Sequence, residues 1–102
     1  MTLDDFKRSI STDRPPASLS RPLLALWHDA HGDWTAAHET AQEIKDATGS
    51  WIHAYLHRKE GDLGNAGYWY NRAGKPECRT SLAAEWEEIA SALLPTFGGA
   101  GS

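Results

Sequence analysis

The chain has 102 residues, a formal net charge of −4 at neutral pH and a pI near 5.6. That length gives one domain with a modest core, and its ten Lys and Arg are scattered rather than gathered on one stripe, which excludes the electrostatic footprint of a nucleic-acid binder. A single cysteine, Cys78, rules out an internal disulfide framework, and no run approaches the ~18 apolar residues of a membrane span, so a soluble, cytoplasmic protein with neither nucleic-acid nor membrane partners is expected.

Residues 1–19 begin with Leu3, Phe6 and Ile10 at helical spacing and continue into a stretch holding Pro15 and Pro16, which cannot sit inside a regular helix. They are expected to form a loosely attached, partly disordered N-terminal arm. Ser20 then offers an N-cap and Pro22 a tolerated first-turn position, and Leu23, Leu24, Leu26 and Trp27 carry a helix to about His31, where Gly32 ends it. Asp33 caps a second helix whose buried stripe is Trp34, Ala37, Ala41 and Ile44, with Gly49 as its stop signal.

Ser50 is expected to open a third helix over Trp51 to Glu60, and Gly61-Asp62 repeat the earlier turn chemistry before a fourth helix with Leu63, Ala66, Tyr70 and Ala73. Gly74 and Pro76 close it. A fifth helix runs from about Ser81 to Leu94 with Leu82, Trp86, Ile89 and Leu93 on one face, and Glu85, Glu87 and Glu88 are expected on a solvated one. The helical domain spans 20–94, and residues 95–102, rich in glycine, are expected to be a flexible tail.

Across these elements one phrase occurs twice. Ala25, His28, Gly32, Asp33 and Ala37 recur 29 residues later as Ala54, His57, Gly61, Asp62 and Ala66, and Ala83 continues the period into the fifth helix. A fixed period means one supersecondary unit stacked on itself. The Gly-Asp-Trp and Gly-Asp-Leu turns followed by Ala37 and Ala66 resemble the turn of a tetratricopeptide repeat, with Ala25 and Ala54 at its small first-helix position and Tyr70, Ala73, Ala41 and Ile44 at later apolar ones.

The resemblance covers about residues 20–94, with a period shorter than the usual ~34 and with His28 or His57 where the repeat has tyrosine. The string from His57 to Gly74, with its Gly61-Asp62, Asn65-Ala66, Tyr68-Trp69-Tyr70 and Arg72, also resembles small tetratricopeptide-like bacterial proteins. It implies an all-α fold: a short right-handed helical-hairpin solenoid of two tetratricopeptide-like repeats plus a C-terminal capping helix.

Asp33 and Asp62 follow glycine at a helix start and are expected to be caps, not catalytic carboxylates. His53 and His57 stand four apart on one helical face, and His28 is the repeat equivalent of His57. With Glu60 they form a candidate ligand set for zinc or another borderline metal, and His38 on the second helix comes within reach of His53. The alternative is a polar network that ties helices together.

Trp51, Tyr55 and Arg58 on the third helix, with Tyr68, Trp69 and Arg72 on the fourth, form an aromatic and arginine patch of the kind interfaces favour. The sequence thus points first to a non-enzymatic interaction module that meets a protein segment or a second copy of itself through Trp51, His53, His57, Arg58, Tyr68 and Arg72, with no cofactor. The alternative is a metal-binding protein or small metal-dependent enzyme built on His28, His53, His57 and Glu60. Cys78, beside Lys75 and Arg79, is not assigned a role.

Overall fold

The computed structural model describes residues 1–94, and the expected tail lies outside them. Six helices follow one another: α1 (Leu3–Ser9), α2 (Arg21–Ala30), α3 (Trp34–Gln42), α4 (Ala47–Lys59), α5 (Leu63–Ala73) and α6 (Leu82–Leu93), with no strand among the described residues. None of these helices is long and apolar enough to cross a membrane.

The doubled phrase builds two helical hairpins by the same local chemistry. Gly32 and Gly61 take φ values of 91° and 89°, a conformation that L side chains rarely adopt. The next residue closes the turn in each case: the Asp33 N–H donates to the His28 carbonyl and the Asp62 N–H to the His57 carbonyl, both at 2.9 Å. The aspartate side chains then accept from Ala36 and Asn65 N–H, capping α3 and α5. Ala25, Ala37, Ala54 and Ala66 are all buried where the paired helices touch.

Two boundaries differ from expectation. Helix α4 begins at Ala47, capped by Asp46, and runs through Gly49 instead of starting after it. Gly49 is needed for close approach: a Cβ there would collide with the Ile44 carbonyl oxygen and stand 2.8 Å from the Ile44 Cβ. The N-terminal arm, in turn, is docked. Thr2 and Asp5 form a capping box, Phe6 is fully buried and stacks on Trp86 at 5.5 Å between centroids, and His31 Nε2 donates to the Thr12 carbonyl at 3.0 Å. A seven-residue helix has little stability alone; the buried Phe6 holds this one.

Helices α3 and α4 join the two hairpins. Helix α6 does not extend the stack beyond α5 as a third first-helix would; it packs on α2, α4 and α1, and reaches α5 through a Tyr70–Glu85 hydrogen bond. Trp86 anchors it, its Nε1 donating to the Leu26 carbonyl at 3.1 Å. The face of α2 and α4 opposite α3 and α5 is therefore occupied by the chain's own last helix.

Candidate metal centre at the junction of the hairpins

Helix α4 is the spine of the molecule: every residue from Gly49 to His57 is buried. It consequently meets buried polar groups on two sides. Toward α2 and α6 it meets two carboxylates. Asp29, 3 % exposed, accepts from the Tyr55 hydroxyl at 2.8 Å and from Lys59 Nζ at 2.9 Å. Glu85, with no exposed surface, accepts from Arg58 Nη1 at 2.8 Å and from the Tyr70 hydroxyl at 2.6 Å, while Arg58 also donates to the Thr80 carbonyl. Glu85 thus leaves the solvated face expected for it, because it is the partner of the half-buried Arg58. Burial, followed by the neighbouring carboxylates, pushes both tyrosine hydroxyls above their ordinary range, so they remain donors.

Toward α3 and α5, α4 meets aromatic rings instead. His53 and His57, one turn apart, face His38 from α3, and one nitrogen of each of the three lies within 4.8 Å of the others. The His38 ring stands edge-on to those of His53 and His57, at 4.9 and 5.3 Å between centroids. Trp34 stacks on His38 at 4.9 Å, fixed by an Nε1–H bond of 3.0 Å to the Leu56 carbonyl, and Trp69 stacks on His53 at 4.1 Å. Two indoles thus wall three imidazoles.

The protonation states suit metal coordination. Burial, then the nearby imidazoles of His38 and His57 and the Lys45 ammonium, pushes His53 down to about 4, and burial followed by His57 lowers His38 as well. Both are neutral at pH 7 and hold a free lone pair. His57 Nδ1 donates to Glu60 Oε1 at 2.7 Å, so Nε2 is the nitrogen not engaged by that carboxylate; a carboxylate behind a histidine is the usual way a ligand ring is oriented. His53 Nδ1 is buried and has no hydrogen-bond partner.

A tetrahedral ion with Zn–N bonds of 2.0–2.1 Å would hold these nitrogens about 3.4 Å apart, a closure of at most about 1.4 Å from separations that lie within 4.8 Å. Glu60 and Asp62 also lie within 4.8 Å of His57, but Glu60 serves it as orienting acceptor and the Asp62 carboxylate is engaged by Asn65 as a helix cap.

The sequence-derived sets are regrouped. His53 and His57 share one cluster and Glu60 touches His57, but His28 lies outside that cluster: its ring lies edge-on to Trp27 at 5.6 Å. His38, facing α4 from α3, takes the place in the cluster that the sequence pattern offered to His28. Of the six proposed partner contacts, Trp51, His53 and His57 are buried, with the Lys75 ammonium 4.0 Å above the Trp51 ring, and Arg58 is held by Glu85. Tyr68 and Arg72 are exposed.

Sequence reasoning missed the walls, Trp34 and Trp69. The signal was present, since Trp34 and His38 share the same four-residue spacing as His53 and His57. Cys78, by contrast, lies 3.1 Å from the Thr80 hydroxyl and away from the histidines. No family model, curated protein or solved structure matches the chain.

Proposed function

We propose that this chain is a metal-binding protein that holds a divalent transition ion, zinc being the best fit, through His38, His53 and His57. The observation that carries the reading is the convergence of three imidazoles, those of His38 and His53 with pKa values lowered by burial, together with a buried His53 Nδ1 that no protein group satisfies. A purely structural network would bond that nitrogen, because an unpaired buried polar atom costs about 1–3 kcal/mol. Imidazole is a borderline ligand suited to zinc, copper and nickel, and three protein ligands leave coordination positions open, the stoichiometry of sites that meet an exogenous ligand.

With Trp51, His53 and His57 buried and α6 laid across α2 and α4, support for a protein-binding surface narrows to Tyr68 and Arg72. The metal reading draws on more of the structure.

The test is a calorimetric titration of the full chain with zinc at pH 7.5. One ion per chain is expected, with affinity reduced at least about 100-fold by His38→Ala and His53→Ala, and about 10- to 100-fold by Glu60→Gln, which removes the group orienting His57. His28→Ala should leave the affinity unchanged. Equal zinc affinity in wild type and His38→Ala would end the reading.

A further inference from the structure

Beside the histidine cluster the surface carries a charge opposite to that of the protein as a whole. A cleft of about 520 Å³ is lined by Lys45, Arg72, Gln42 and Ser50 together with the rings of His53 and Trp69. The chain's net charge is −4, yet no carboxylate lines this cleft. Two cations, an amide and a hydroxyl residue surround it, and the Trp69 indole with Ile44 supplies an apolar wall.

The more organised cation is Arg72. Its Nη1 donates to the Tyr68 hydroxyl at 3.0 Å, and its guanidinium lies 5.7 Å from the Tyr68 ring centroid and 5.3 Å from that of Trp69. The two rings and the hydroxyl hold the planar fork in place, so little side-chain entropy remains to be lost when its other N–H groups meet a ligand. Guanidinium forks match the oxygens of carboxylate and phosphate, and Lys45 adds a second positive charge. The cleft's volume is that of a small-molecule site, larger than an inorganic ion needs.

His53 belongs both to this cleft and to the histidine cluster, so the cleft and the proposed metal position have one ring in common. We propose that it binds a small organic oxyanion, a carboxylate or a phosphate monoester, with its charged group between Arg72 and Lys45 and its carbon skeleton against the Trp69 indole. The anion sits next to the ion held by His38, His53 and His57, and an oxygen of it completes the coordination. Only this last contact rests on the metal reading; recognition by Arg72, Lys45 and Trp69 does not.

The experiment is a two-dimensional NMR titration of the full chain, metal-free and zinc-loaded, with benzoate as the carboxylate probe and phenyl phosphate as the phosphate probe. A saturable shift of the Trp69 indole N–H is expected with at least one probe, and the tighter of the two identifies the head group. Arg72→Ala and Lys45→Gln should each weaken binding at least about 5-fold, since charge-assisted contacts are lost from exposed residues that the core does not need. Zinc should tighten it at least about 10-fold in the wild type and not in His38→Ala, the size expected of a direct coupling between neighbouring sites.

Shifts that do not saturate, or equal affinities in wild type and Arg72→Ala, overturn the proposal. Zinc uptake without anion binding also removes it, but leaves the metal centre standing. Anion binding that depends on Arg72 in a chain that takes up no zinc supports the cleft and removes the metal centre instead.

Discussion

The two sides of α4 are buried to a similar depth and handle buried polarity in opposite ways. On the α2 and α6 side, Asp29 and Glu85 receive Tyr55, Lys59, Arg58 and Tyr70, each carboxylate accepting at least two hydrogen bonds. On the α3 and α5 side, three histidines face one another and a buried nitrogen of His53 has no partner. A network whose members satisfy one another holds helices together; a convergent set with an unpaired nitrogen is what the proposed metal site requires. Stability should therefore reside on the first side and ligand affinity on the second.

The largest expected effect falls on the carboxylate side. Removing Glu85 leaves the Arg58 charge and the Tyr70 hydroxyl unpaired, so Glu85→Ala should cost about 3–5 kcal/mol in urea denaturation, while zinc affinity of the folded fraction stays within about threefold. Were zinc affinity to fall as steeply as stability, the two sides would not be separable. Phe6→Ala comes next, at about 3 kcal/mol for an aromatic taken from a packed core. A cost under about 1 kcal/mol would return the N-terminal arm to the loose attachment its prolines suggest.

A pH titration of the metal-free protein probes the histidine side. His53 is held near 4 in the folded chain against an ordinary value of 6.5, so below pH 6.5 the unfolded chain binds the extra proton. Stability should thus be constant in this respect above about pH 7 and fall by roughly 3 kcal/mol as pH drops from 6.5 to 4, a shift of one unit being worth 1.36 kcal/mol. His38, also lowered, adds to the loss, the Lys45 charge acts in the same direction, and Glu60 opposes it at His38. In His53→Ala the slope over this range should shrink. The smallest effect is the stability change in metal-free His38→Ala at pH 7.5, under about 1 kcal/mol, because the ring is only partly buried and meets its neighbours through ring contacts.

Much of the scaffold was readable from residue types whose structural part is local. Gly32, Gly61, Asp33 and Asp62 act through turns and caps within a few residues, and they sit as read. Gly49 misled for the complementary reason: it permits close contact with Ile44 across the α3–α4 connection, a tertiary cause that local pattern does not distinguish from a helix stop. Phe6 and Glu85 were misplaced in the same way, since Trp86 and Arg58 become their partners only once α6 crosses α2 and α4.

The candidate site was half legible. The spacing of His53 and His57 showed one face of a helix, and periodicity suggested His28 as their companion. Translation between stacked units separates repeat equivalents, however, and it is the side chains facing across a junction that meet. The junction is not repeated one period later, where the positions equivalent to Trp34 and His38 are Leu63, which is exposed, and Gly67. The histidine group is thus carried by residues that break the repeat.

The most direct measurement is the visible absorption spectrum of the full chain titrated with cobalt(II), compared with His38→Ala and His28→Ala. The proposed site predicts intense four- or five-coordinate d–d bands that saturate at one equivalent, persist in His28→Ala, are absent in His38→Ala and are displaced by zinc. The weak spectrum of hexaaqua cobalt at every ratio, or identical bands in all three proteins, would contradict a metal centre at His38, His53 and His57.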